Sequence, residues 1–131
     1  MSRSALRLFM AAVPTAAVLL IGDEVLSGRT KDKNLGFIAD YLTLLGIDLR
    51  EARCVADVED DIVAAVNALR TRFTYVFTTG GIGPTHDDIT ADAIGKAFGV
   101  PVSHDPRAVE ILMAFFKEIG REPNEARLRM A

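Results

Sequence analysis

Thirteen residues, Thr78 to Thr90, read Thr-Thr-Gly-Gly-Ile-Gly-Pro-Thr-His-Asp-Asp-Ile-Thr, and they restrict the fold more than any other stretch. A strand has to end, a glycine loop has to turn and a helix has to begin in that space. The preceding run, Phe73 to Thr79, is aromatic and β-branched, the composition of a buried strand. Gly80, Gly81 and Gly83 permit positive φ and let main-chain amides approach a ligand with no Cβ in the way. Pro84 fixes the exit, and Thr90 is placed to cap a helix that starts near Ala91.

Open amides before a helix attract anions, so the loop is a candidate phosphate cradle. Neither standard phosphate-loop pattern fits, because no Lys-Ser/Thr pair follows the glycines and Gly-x-Gly-x-x-Gly fails at His86. Asp87 and Asp88 carry more information. Two carboxylates beside an anion site repel a phosphate unless a divalent cation bridges them, which points to a nucleotide or phosphate with magnesium. The plainer alternative is that the aspartates favour the helix dipole and the glycines only turn the chain.

The rest of the chain alternates strand and helix. Ala16 to Ile21 is a continuous apolar run ended by Gly22, as in a parallel strand covered on both faces. A polar loop from Gly22 to Asn34 carries Asp23, Glu24, Arg29, Lys31, Asp32 and Lys33. Leu35, Ile38, Ala39, Leu42 and Leu45 then form one helical stripe facing the sheet, with Gly46 as cap. Ile47 to Val55 reads as a second strand whose charges suit a sheet edge. Asp57 is placed to cap a helix running to about Arg70. After the third strand and its helix, with Gly95 permitting close approach to the sheet, Asp105-Pro106 starts a helix reaching Ile119, and a last one begins near Asn124.

This order predicts a three-layer α/β/α fold with a mostly parallel open sheet, in one domain over residues 14–131 behind an irregular leader over residues 1–13. Ligand groups then belong beyond the carboxyl ends of the strands, where Gly22 to Asn34, Ala56 to Asp60 and Gly80 to Thr90 should converge.

At 131 residues the chain has room for about one domain. Half of it is hydrophobic and a quarter charged, which argues against disorder, and a net charge of −3 gives no case for nucleic-acid binding. Arg121, Arg127 and Arg129 are interrupted by Glu122 and Glu125 and read as a solvated helix face. Cys54 is the one cysteine, so an internal disulfide and a cysteine-based zinc site are excluded; in a strand it reads as a small hydrophobe, and a cytoplasmic setting is expected. Arg3 and Arg7 before the apolar stretch from Leu8 to Ile21 imitate a signal peptide, but Pro14 interrupts it and cleavage near Ala17 would remove the first strand. No segment reads as a membrane span.

Two motifs resemble the molybdopterin-binding domain family, which includes the molybdenum-cofactor biosynthesis proteins and the N-terminal domain of competence-damage-inducible protein A. They are Gly22-Asp23-Glu24-Val25-Leu26-Ser27-Gly28 with Asp32 and Asn34, and Thr79-Gly80-Gly81-Ile82-Gly83-Pro84-Thr85 with Asp87, Asp88 and Thr90. The Gly-Asp-Glu form is closer to the competence-damage-inducible branch. The resemblance implies binding of molybdopterin, an adenine nucleotide or both. By motif position it makes Asp57 and Asp88 the catalytic aspartates of a magnesium-dependent adenylyl transfer, or of pyrophosphate-bond hydrolysis. Gly80, Gly81 and Gly83, with Gly22 and Asp23, would hold the ligand and its phosphate, and Thr85 would add a hydroxyl contact. Glu24, Asp87 and Asp88 would take the metal. Asp87 stands where the dedicated cofactor-synthesis proteins commonly have a basic residue. Family members also continue with a further glycine-proline loop and strands, so the chain is expected to be truncated at its C-terminal end. Related domains form dimers or trimers, so a homo-oligomer is expected. Three functions stay open: a pterin or nucleotide binding protein, a metal-dependent pyrophosphatase or adenylyltransferase, and a non-catalytic interaction module.

Overall fold

The computed structural model describes residues 12–131, so the leader expected over residues 1–13 lies outside the described residues except for its last two positions. Three parallel strands form one sheet in the order β2-β1-β3, with β1 at Thr15–Ile21, β2 at Asp48–Val55 and β3 at Tyr75–Thr79. Six helices accompany them among the described residues: α1 Asp23–Leu26, α2 Asn34–Leu44, α3 Glu59–Arg70, α4 Thr90–Phe98, α5 Pro106–Glu118 and α6 Glu125–Leu128. The chain is therefore the open parallel α/β protein that its alternation predicts.

The apolar run of β1 explains its central place. Ala16 to Ile21 are all buried, which only a strand paired on both edges and covered on both faces achieves. Alternation puts Ala17, Leu19 and Ile21 on one face, where they pack with Ile62, Ala65, Val66 and Leu69 of α3 and with Ala93 of α4. The connection from β1 to β2 runs one way and that from β2 to β3 runs back past β1. Right-handed crossovers in opposite directions carry α2 and α3 to opposite faces. The reversal lies between β1 and β3, the place where open α/β sheets leave a crevice.

β2 is an edge strand, as its charges require, and Glu51 there bonds Arg53 at 2.8 Å and Arg72 at 3.0 Å. β3 departs from expectation. It begins at Tyr75 rather than Phe73 and is only half-buried, because it borders the sheet as described and exposes Tyr75 and Thr78. The α2 stripe is also less covered than its periodicity suggests. Leu42 is buried, whereas Leu45 is exposed, as are Phe37, Tyr41 and Leu44. Gly95 does not serve the sheet either. A Cβ there would strike Val102 and approach the Val100 carbonyl, so the residue lets the segment after α4 fold back over it.

Helix ends follow the expected chemistry in places. Gly46 and Gly99 have φ of 73° and 66°, the left-handed turn that ends α2 and α4. Asp105 caps α5 by accepting from the Arg107 amide at 2.9 Å, with Pro106 in the first turn. Asn124 caps α6 through the Arg127 amide at 2.9 Å. Asp57 and Thr90 do not cap. The N-cap positions of α3 and α4 are Val58 and Ile89, and both polar side chains are used in the loops instead.

Leu19→Ala removes a fully buried side chain from the centre of this core. The expected loss is about 2–5 kcal/mol of unfolding free energy in denaturant titration. A loss well under that range would show that β1 is not the packed centre.

Candidate functional site

The carboxyl ends of all three strands meet. The Gly22 amide donates to the Val55 carbonyl at 3.0 Å, which holds the β1 and β2 exits together. A reciprocal pair then locks the loops that follow. The Asp23 amide donates to Asp57 Oδ2 at 3.0 Å, and the Asp57 amide donates to Asp23 Oδ1 at 3.1 Å. This explains why Asp57 does not cap its helix: its carboxylate is turned back to the start of α1. The segment after β1 is accordingly not all loop, since Asp23–Leu26 forms a helical turn. Glu24 on that turn folds over Gly22, where a Cβ would come within 2.6 Å of Glu24 Oε1.

The glycine loop needs its glycines for separate reasons. Gly80 has φ of 95°, and a Cβ there would run into the Ile21 carbonyl oxygen, so β1 and β3 end against each other. Gly81 has φ of 64°, and its missing side chain leaves room for the Thr90 hydroxyl. Thr90 is buried, donates through Oγ1 to the Gly80 carbonyl at 2.8 Å and through its amide to the Gly81 carbonyl at 3.1 Å. It stitches the loop to the start of α4 rather than capping that helix.

Asp88 closes the next turn. Its Oδ2 accepts from the Thr85 amide at 2.9 Å and the Thr85 hydroxyl at 2.7 Å, while its amide donates to the Thr85 carbonyl at 3.1 Å. These two donors from Thr85, the hydroxyl foremost, hold the Asp88 carboxyl below the usual carboxylate range; partial burial opposes them, and the Gly83 amide and Arg129 add to them. The Thr85 hydroxyl, expected to face a phosphate, points at this carboxylate.

One cleft of about 380 Å³ gathers Asp23, Glu24, Asp57, Gly81, Asp87 and Asp88. Arg29 and His86 also line it. Gly22, Gly80, Gly83 and Thr85 belong to its supporting loops rather than its lining. His86 Nε2 lies 2.9 Å from Asp87 Oδ1, with both side chains largely exposed. Among the described residues no three acidic, histidine or cysteine side chains stand close enough to hold a metal by themselves. The amides of Gly81 and Ile82 donate to no protein acceptor among the described residues. Gly81 lines the cleft, which thus offers an open amide for an anion and an excess of carboxylates for a cation, a donor set that fits a phosphate carrying Mg²⁺. Such an ion would complete its shell with phosphate oxygens and water.

A smaller cavity of about 240 Å³ lies beside it, and Glu24 lines both. There Asp32 accepts from the amides of Asn34 and Leu35 at 3.2 and 3.0 Å, and Asn34 Nδ2 donates to Thr79 Oγ1 at 2.8 Å. The first motif is thereby hydrogen-bonded to the strand that leads into the second. Burial, then the charges of Asp32 and Glu24, push the Cys54 thiol up, which favours its protonated form.

Arg129 corrects the reading of a solvated basic face. Its Nη1 donates to the Thr85 carbonyl at 3.0 Å and its Nη2 to the Asp88 carbonyl at 2.8 Å. No local pattern in the sequence marks it. Arg127 lies 5.3 Å from the Phe116 ring.

Residues 17–126 match the family model described as Probable molybdopterin binding domain. The chain belongs to the molybdopterin-binding domain family. A CinA-like protein of Anaeromyxobacter dehalogenans is 36% identical over 104 residues, which cover 79% of this chain and 26% of that protein. The crystal structure of the protein CinA from Thermoplasma acidophilum superposes with a TM-score of 0.81 at 32% identity, covering 91% of this chain and 69% of that one. The tungsten cofactor synthesizing protein MoaB from Pyrococcus furiosus gives a TM-score of 0.60 at 24% identity, covering 82% and 66%, a likeness of fold. The chain spans less than half the length of the curated relatives named here, 44% for a protein of Aeropyrum pernix and 26% for the Anaeromyxobacter one. The similarity to CinA agrees with the branch indicated by Gly22-Asp23-Glu24. Among the described residues no helix is long and apolar enough to cross a membrane.

The Thr85 contacts predict a pH effect. Because Asp88 titrates lower in the folded chain than the unfolded value of about 3.9, its contribution is complete above that pH and fades as pH falls through the depressed native value. Thr85→Val removes the largest cause, so the Asp88 carboxyl should titrate higher by NMR and acid unfolding should begin at a higher pH. An unmoved Asp88 titration would show that the hydroxyl bond does not act on it.

Proposed function

We propose that this domain binds a phosphate-bearing molybdopterin, or a related adenine nucleotide, in the cleft at the strand ends, with Mg²⁺ between the ligand and the carboxylates. The observation that carries the reading is the convergence of Asp23, Glu24, Asp57, Asp87 and Asp88 on the one cleft that also exposes Gly81. Family membership supports the pterin; the name of the Pyrococcus neighbour supports a link to cofactor synthesis. Amides of Gly81 and Ile82 would take phosphate oxygens, and Gly80 and Gly83 would keep that loop close to β1 and to Asp88. Asp57 Oδ1 is the free oxygen of its pair and lies on the Gly81 side, within 3.6 Å of where a Cβ on Gly81 would stand. The metal would sit among Glu24, Asp87 and Asp88, touching no more than two carboxylates at once and completing its shell with phosphate oxygens and water, with Asp57 beside the phosphate.

A bound Mg²⁺ would supply charge neutralisation for a phosphoryl centre. The second reading, adenylyl transfer or hydrolysis of a pyrophosphate bond, is favoured by the excess of carboxylates over the single arginine in the cleft. Self-association into a dimer or trimer belongs to the same proposal. It is supported by the exposed α2 residues Phe37, Tyr41 and Leu44. The homologous relatives are longer chains, so the activity of a whole CinA-like protein stands as a proposal for this one.

Calorimetric titration with a molybdopterin-type ligand and with ADP, each with and without Mg²⁺, tests the reading. Magnesium-dependent binding to the wild type is the expected outcome, and product formation would select the enzymatic form. Asp88→Asn keeps an oxygen for the Thr85 turn but removes the charge, so it should lower magnesium-dependent affinity by about tenfold, near 1.4 kcal/mol, or more. Equal binding with and without the metal, or an unaffected Asp88→Asn variant, would defeat the metal role. Absence of binding to either ligand by a folded chain would favour the non-catalytic interaction module.

A further inference from the structure

We infer that Arg129 is a positioning residue, which holds the Thr85–Asp88 turn and through it sets the orientation of the Asp88 side chain in the cleft. The inference rests on the binding role proposed above. Arg129 reaches across more than forty residues of sequence, yet its guanidinium engages both ends of one four-residue turn: Nη1 the Thr85 carbonyl at 3.0 Å, Nη2 the Asp88 carbonyl at 2.8 Å. The Thr85 carbonyl also accepts the Asp88 amide, and the Asp88 carboxylate accepts the Thr85 amide and hydroxyl. Inside the turn the bonds run between its two ends; Arg129 fixes those same ends from a separate element. A planar fork with parallel donors suits two carbonyls at a set spacing, and a point charge on a flexible stem does not.

Arg129 does not line the acidic cleft. It lines a separate cavity of about 180 Å³, with Met130, and Asp88 borders both. Its third contact, to Asp92 Oδ2, is long at 3.5 Å. Arg129 therefore acts on the cleft from outside it, chiefly through the main chain of the turn and less through its charge on the Asp88 carboxylate. Its own base is firm. Asn124 caps α6 through the Arg127 amide, and the Ala131 carbonyl accepts from the Asp105 amide at 2.8 Å. Asn124, whose side chain is outside the cleft, is thereby coupled to it.

The test compares wild type, Arg129→Met, Arg129→Lys and Arg127→Met by amide hydrogen exchange at residues 85–88 and by calorimetric titration with ADP and Mg²⁺. Arg129→Met should speed exchange of the Asp88 amide and raise the ADP Kd by about tenfold or more, the range of losses known for supporting residues around metal sites. Arg129→Lys should recover part of the affinity. Arg127→Met, which loses only the ring contact, should leave the Kd within about twofold whatever stability it costs, since it shares no partner with the turn. Unchanged exchange and affinity in Arg129→Met, or an equal loss in Arg127→Met, would overturn the inference. If the wild type binds no ADP with Mg²⁺, that counts against the nucleotide reading, and exchange alone decides: unaltered protection of the Asp88 amide overturns the clamp, and faster exchange supports it.

Discussion

The site depends on how closely β1 and β3 end against each other. A side chain at residue 80 would occupy the place of the Ile21 carbonyl oxygen, so the chain leaves β3 through a glycine with positive φ and turns immediately. That close approach follows from the strand order. With β1 in the middle, its exit is flanked by the exits of both neighbours, and the Gly22, Asp57 and Gly81 segments are forced into one place. The burial of β1 and the location of the cleft are thus consequences of one topology.

The carboxylates there are oriented in an unusual way for an acidic cluster. Asp23 and Asp57 each accept the other's main-chain amide, and Asp88 accepts the amide and hydroxyl of Thr85. None of the three forms an ion pair with a lysine or arginine side chain among the described residues. Amides fix direction without cancelling charge, so the negative field of the cleft survives the bonds that shape it. Each of the paired aspartates also keeps an oxygen outside the reciprocal contacts. An arrangement of this kind favours a cation that brings its own anionic ligand, and the residue with an open amide, Gly81, lines the same cleft.

Much of this was legible in the sequence because its signals are local. The apolar run of β1, the Asp105-Pro106 start and the glycines after α2 and α4 each act within a few residues, and the structure agrees with them. Charges on β2 marked an edge because an unpaired edge tolerates them. The errors arise where a tertiary partner outbids a local one. Thr90 and Asp57 have the residue type of helix caps and each lies one residue from the cap position, yet their oxygens find acceptors and donors in neighbouring loops. Asp23 and Asp57 stand 34 residues apart, and no periodicity encodes their pairing. The half-exposed β3 shows the same limit: its composition reports a preference for strand, but burial depends on what lies beside it.

Arg129 sharpens that distinction. In the sequence it sits among glutamates and arginines, where any basic residue resembles a solvated one. In the structure its two short contacts are to neutral carbonyls, with a long one to Asp92 and a small charge effect on Asp88. Carbonyls at the ends of a turn have no side-chain identity, so nothing in the letters at Thr85 or Asp88 announces a need for a guanidinium. A residue recognised only by the backbone it holds is invisible to motif reading at both ends. It also links the cleft to α6, the short helix at whose C-terminal end it stands. The motif therefore supplies the chemical groups of the cleft, and a segment outside the motif supplies part of their geometry.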